Sequence, residues 1–356
     1  MAEAAFACGF RSEVAGARGV EFTGDAGAAR DDAERAAARL AVAGAEVIHA
    51  RDERARLDLW RCRKQAFGAV GRLSPHYVSM DVAVPLGHLP ELTRRAREAG
   101  HNHQVRVANL MHAGDGNMHP GVLFDGNRPG ERDRAQAAAD EILAAALDLG
   151  GTVTGEHGVG VEKLHVLPAQ LDPVAAELMS GIKGIFDPRG LANPGKALAE
   201  GPGLAASSPL PTSKRFDWNN LTVTVPVDVK LSALSAEADA RGFRLVCVPD
   251  SGNASLGELA DAGALRDGLL EVWATTGDGR AFHTGRPVTK NVAGYDLVRL
   301  VCGCGGALAD VQAVTLQLRP VGHVVEEKAT APGTLWSAPE PYRRAVIDLF
   351  AGGRRV

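Results

Sequence analysis

The feature that most constrains this chain is a stretch near its middle with no hydrophobic pattern. EGPGLAASSPLPTSK (200–214) is dominated by Gly, Pro and Ser and offers neither a helical stripe nor a strand alternation. It reads as a linker, and the chain differs on its two sides. Upstream, helical periodicity runs over 30–44, 52–67, 88–100, 130–151 and 168–188. Strand-like runs lie between these helices at 45–50, 76–86 and 104–113. Downstream, strands dominate, at 221–229, 243–248, 269–276 and 310–320, and the chain after about Gly322 is weakly patterned. The expected class is α+β. A domain over 1–199 is followed by the linker 200–214, a smaller body over 215–322 and a tail over 323–356.

With 356 residues the chain can build two domains and a core that needs no covalent staple. A net charge of −4, from 39 basic and 43 acidic residues, excludes a strongly basic nucleic-acid binder. The sequence has no apolar run of the roughly 18 residues needed to span a bilayer. It also has no basic-then-apolar leader. The five cysteines (Cys8, Cys62, Cys247, Cys302, Cys304) lack a CxxC pair. They read as reduced thiols in a cytoplasmic protein, and Cys302 with Cys304 are too few for an iron–sulfur cluster.

Two Gly-rich segments carry the candidate chemistry. The first is His112-Ala-Gly-Asp-Gly-Asn-Met-His119 and the second is Gly155-Glu156-His157-Gly158. Two imidazoles and a carboxylate make a three-ligand set with open positions, suited to Zn²⁺ or a similar divalent ion. Glycines allow tight turns around such a site. The spacing is not a standard zinc signature, and it equally suits two loop histidines beside a carboxylate.

HAGDGNMHP, GGTVTGEHGVGVEK and FDPRGLANPGK, in that order, resemble the C-terminal domain of FAD-linked oxidases. Among these are the catalytic subunit of bacterial glycolate oxidase, D-lactate dehydrogenases and D-2-hydroxyglutarate dehydrogenases. LWRCRKQAFGAVGRLSPHYVSMDVAVP adds to the likeness through Trp60, Arg63 and Asp81. The resemblance covers about residues 15–200 and implies a ferredoxin-like antiparallel sheet with helices. It implies a metal on His112, His119 and Glu156, and His157 as catalytic base. Arg63 would hold the substrate carboxylate and Asn117 would lie near the substrate. Each has a plainer reading: Arg63 as a solvated helix residue, Asn117 as a turn brace, Asp115 as a turn residue and Lys163 as an exposed charge. Leu86 stands where many members carry Arg, and Phe67 and Ser79 offer no further polar grip. A small 2-hydroxy acid, such as glycolate or D-lactate, is therefore expected over 2-hydroxyglutarate.

Downstream, KNVAGYDL (290–297) and the segment 303–309 resemble the FAD-binding (PCMH-type) domain of the second flavin subunit of glycolate oxidase. This resemblance implies flavin contacts at Lys290, Asn291, Gly294, Tyr295, Gly303 and Gly306. Cys304 and Ala309 depart from its Ser and Gly. The domain is incomplete: nothing upstream of Phe216 supplies the usual first phosphate loop, and the middle is short.

The expected function is FAD- and metal-dependent oxidation of a small 2-hydroxy acid, with flavin-domain and iron–sulfur partner subunits. The protein is expected to be cytoplasmic, or peripheral at the inner membrane through those partners. The alternative is a truncated metal-binding or docking module that has lost flavin. A metallohydrolase on the same residues would leave KNVAGYDL unexplained.

Overall fold

The computed structural model describes residues 16–198, 201–246, 253–321 and 339–352. Cys8, Cys247, the side chain of Phe67, the expected strand end at 247–248 and much of the expected tail lie outside them.

The upstream half begins with two helices, α1 (Ala26–Val42) and α2 (Glu53–Leu73). Asp25 and Asp52 cap them by accepting orphan backbone N–H groups of the first turns. The chain then runs β1 (His76–Ser79), β2 (Val82–Ala83), α3 (Leu89–Asn102), β3 (Arg106–His112), β4 (Asn117–Phe124) and α4 (Glu131–Asp148). β4 pairs antiparallel with β3 on one edge and with β1 and β2 on the other. Beyond α4, Thr152 bridges to Ala83. The spatial order Thr152, β2, β4, β3, with one helix in each crossover, is the ferredoxin-like arrangement implied by the resemblance. Leu92 and Ala96 of α3 and Ile142 and Ala146 of α4 pack on Val82, Met118 and Val122 of the sheet.

The run 76–86 is not one strand. It breaks at Met80 and Asp81, where the Asp81 carbonyl accepts from Gly155 N instead of continuing the ladder. The expected strand at 45–50 is irregular and mostly exposed.

The downstream half is a second antiparallel sheet. Its strands are β5 (Arg215–Asp217), β6 (Thr222–Pro226), β7 (Phe243–Leu245), β8 (Leu269–Thr276), β9 (Ala281–Gly285) and β10 (Ala309–Pro320). The order is β5-β6-β10-β8-β9, with β7 also on β10. Helices α6 (Leu231–Asp239), α7 (Leu256–Asp261), α8 (Leu297–Val301) and α9 (Glu340–Phe350) surround it. α9 replaces part of the weakly patterned tail, burying Val346 and Phe350.

The helix α5 (Pro173–Phe186) lies upstream of the linker in sequence but belongs by packing to the downstream core. Its Leu178 and Met179 bury there, and Phe186 stacks on Tyr342 of α9. The stretch 201–214 is irregular, as expected, and is tied back: Leu204 N and Ala205 N donate to the carbonyls of Pro168 and Leu171. Among the described residues no helix is long and apolar enough to cross a membrane. Cys302 and Cys304 are free and buried, whereas Cys62 is disulfide-bonded, against the expectation of thiols throughout.

Candidate metal centre

The β3–β4 hairpin explains the spacing of the first motif. Its register places His112 opposite Asn117 and Leu110 opposite His119. Opposed residues share a face, and so do residues two apart along a strand. His112, Asn117 and His119 therefore project from one side of the sheet. The turn between the strands needs Gly116. Its φ is +70°, and a Cβ there would lie 2.2 Å from the Val84 carbonyl oxygen.

Asp81 is the hub that shapes the second motif. It is 1% exposed. Oδ2 accepts from the backbone N–H of Glu156 (2.7 Å), that of His157 (2.8 Å) and Thr154 Oγ1 (3.1 Å). Oδ1 accepts from Asn117 Nδ2 (2.8 Å). Burial opposes the charge, but the His157 and Glu156 amides, Asn117 and Lys163 outweigh it and hold the carboxyl at about 2. The turn at 155–158 is thus wrapped around a buried carboxylate, with its side chains facing the hairpin.

Four expected residues meet there. Glu156 Oε1 lies 3.9 Å from His112 Nε2, and Oε2 lies 3.7 Å from His119 Nε2. His157 Nε2 lies 3.8 Å from the same Oε2, and its ring stacks on His119 at 5.2 Å. One donor atom from each of His112, His119 and Glu156 falls within 4.8 Å of the others. Tetrahedral ligands about 2.1 Å from an ion stand roughly 3.4 Å apart. The His–Glu separations, each to a different oxygen of Glu156, are within half an ångström of that, and the donor set of two imidazoles and a carboxylate suits a divalent ion of zinc-like preference. Burial pushes the His119 imidazole below its ordinary range, which favours the neutral, ligating form.

Asn117 is fully buried beneath this cluster and donates also to the Val82 carbonyl (3.0 Å). It braces Asp81 rather than lining open space. No described contact joins Arg63, on α2, to the cluster. Lys163 is not an exposed charge. It is 6% exposed, faces Asp81 electrostatically and donates to the Gly158 carbonyl (3.4 Å). The roles of Asp81 and Lys163 are not readable from motif spacing. The available signal was a charged residue inside the apolar run Met80-Asp81-Val82, where an ion is buried only with partners.

Several of the expected flavin contacts are engaged with protein. Lys290 Nζ lies 2.5 Å from Glu156 Oε1 and 2.9 Å from Asp115 Oδ2, at the metal candidate itself. Asn291 Oδ1 accepts from Thr152 Oγ1 (2.9 Å). Gly294 abuts Met179 of α5, and Tyr295 is partly exposed. Gly303 N donates to the Ala260 carbonyl (2.7 Å) and Gly305 N to that of Asp261 (3.3 Å). The amides of Gly303 and Gly305 are thus taken up by the last carbonyls of α7. Gly306 (φ +73°) has open space around it, and Ala309 is a ladder residue of β10.

Residues 2–197 match the family described as FAD linked oxidases, C-terminal domain. The chain is 44% identical over 168 residues to the glycolate oxidase subunit GlcD of Escherichia coli (strain K12), covering 47% of this chain and 34% of that protein. It is 36% identical over 157 residues to a mitochondrial D-lactate dehydrogenase [cytochrome] of Arabidopsis thaliana, covering 44% and 28%. It is 35% identical over 142 residues to the GlcD of Bacillus subtilis (strain 168), covering 40% and 30%. The chain thus spans about a third of the length of the curated relatives it matches.

Proposed function

The chain belongs to the FAD linked oxidases through their C-terminal domain, and from that premise we propose that it serves the oxidation of a small 2-hydroxy acid, of glycolate or D-lactate type, to the 2-oxo acid. The observation that carries this reading is the convergence of His112, His119 and Glu156 beside the exposed imidazole of His157. Those three residues would hold a divalent ion. When bound, such an ion lowers the pKa of the hydroxyl it touches. His157, whose side chain is 60% exposed, presents its imidazole to take that proton as general base. The Asp81 carboxylate accepts from the N–H groups of both Glu156 and His157 and so orients the two side chains together. Arg63 is proposed to meet the substrate carboxylate with its forked donors.

FAD is the family's cofactor, and its part in such an oxidation is to accept the C2 hydride. The amides of Gly303 and Gly305 are taken up by α7, so flavin-domain and iron–sulfur partner subunits belong to this proposal. GlcD, which this chain resembles, is named as a subunit. The same turn favours the second reading, a metal-binding or docking module without flavin of its own.

The test is calorimetric titration of glycolate and D-lactate into the full chain with and without Zn²⁺. Binding that requires Zn²⁺ and disappears in Glu156→Ala is expected. No binding of either acid to the Zn²⁺-loaded chain would overturn the substrate assignment. Flavin absorbance retained after gel filtration with FAD, and bleached by substrate, would overturn the second reading.

A further inference from the structure

We propose that Lys290 is a tethered cation that occupies the metal candidate's carboxylate and is displaced when a divalent ion binds. This rests on the reading of His112, His119 and Glu156 as metal ligands. Lys290 comes from the loop between β9 and α8, far from those residues in sequence. The loop is stitched to the segment that leads into Glu156: Val292 N donates to the Thr154 carbonyl (3.2 Å), and Asn291 pairs with Thr152. Two residues of backbone therefore separate a fixed anchor from the ammonium. Its Nζ sits between two carboxylates, Glu156 Oε1 at 2.5 Å and Asp115 Oδ2 at 2.9 Å. Oε1 is also the Glu156 oxygen that faces His112 Nε2 at 3.9 Å. An ion shared by His112 and Glu156 and the ammonium of Lys290 compete for one oxygen.

Charge sharpens the competition. Even at the dielectric of bulk water, a dication about 4 Å from an ammonium is disfavoured by more than tenfold. Coupling of this kind is reciprocal, so ion binding loosens Lys290 as much as Lys290 weakens ion binding. The consequence is a link between metal loading and the seam joining the two halves. Asp115 then gains a role beyond its turn, as the acceptor that keeps Lys290 in place.

The experiment titrates Zn²⁺ into the full chain and into Lys290→Met, which keeps the length and removes the charge. At least tenfold tighter binding is expected in K290M, with Lys290→Arg returning to the original affinity. Equal or weaker binding in K290M overturns the inference while leaving the metal reading intact. No Zn²⁺ binding by either protein removes both. Should K290M fail to fold, amine-reactive labelling of Lys290 in the unaltered chain decides. Labelling that rises on saturation with Zn²⁺ supports displacement, and labelling unchanged at saturation refutes it.

Discussion

The turns at 155–158 and 303–306 are both glycine-rich, and both follow from motifs with a family likeness, yet their amides go to different acceptors. In the first, the N–H groups of Glu156 and His157 point at one buried carboxylate, Asp81. The side chains are thereby turned outward together, toward His112 and His119. In the second, the N–H groups of Gly303 and Gly305 point at the end of α7. That turn closes a helix and gathers no reactive side chain. A Gly-rich sequence specifies freedom of the backbone, and the acceptor its amides find decides whether a site results.

The largest expected contrast comes from removing the acceptor. Asp81→Ala strands two amides, Asn117 and the buried Lys163. It should cost about 3–5 kcal/mol, the usual penalty for breaking a buried charged network. Urea denaturation reads the stability and calorimetry should find Zn²⁺ binding gone. A loss under about 1 kcal/mol would mean that Asp81 is not the hub.

Acid should act on the same residue. Its carboxyl titrates at about 2 in the folded chain, against an ordinary value of 3.8. A depressed carboxyl stabilises the fold above its ordinary range, and that contribution is lost as pH falls from about 4 through 2. The difference corresponds to roughly 2 kcal/mol. Urea midpoints between pH 6 and pH 2.5 should fall more steeply in the unaltered chain than in Asp81→Asn. Parallel slopes would assign the acid sensitivity elsewhere.

A matched pair of glycine substitutions isolates the turns. A Cβ at Gly155 would lie 2.6 Å from Asn117 Nδ2 and 3.1 Å from Asp81 Oδ1. Gly155→Ala should cost about 1–3 kcal/mol by overpacking and weaken Zn²⁺ binding. Gly305 has φ +58° and nothing near its Cβ position. Gly305→Ala should cost about 1–2 kcal/mol, the left-handed strain alone, and leave Zn²⁺ affinity unchanged. Zn²⁺ affinity falling equally in both would erase the distinction.

The smallest effect is expected at Cys302, just before the second turn. Burial pushes its thiol up to about 11. Iodoacetamide at pH 8 should leave it unmodified in the folded chain, because the thiolate is the reactive form. Rapid modification would show that the turn opens readily.

Much of the candidate site was legible because the residues it brings together sit in short motifs. His112 and His119 are held by one hairpin register, and Glu156 and His157 by one turn. β8 falls on its expected residues, since LLEVWATT is rich in the branched and aromatic residues that favour strands. What escaped depends on distance along the chain. Lys290 reads as a flavin contact from KNVAGYDL, and only the folded seam brings it to Glu156. Lys163 reads as a surface charge because its partner Asp81 lies far back in the sequence, in the break between β1 and β2. β9 escaped because AFHTG is short and takes its pattern from β8. α5 looked like part of the upstream domain because sequence order does not say which core receives a helical face.

β10 carries a consequence for how the chain is made. It is the strand to which β6, β7 and β8 all pair. During synthesis from the N-terminus those three emerge before it. Until Pro320 has left the ribosome, they display apolar faces and open edges with no centre to close on. The upstream sheet, whose pairings all fall between His76 and Thr152, can be complete by then. A nascent chain of this design is therefore half folded and half sticky for many seconds, at roughly 5–20 residues added per second. A holdase that recognises exposed strands would find its substrate in that interval.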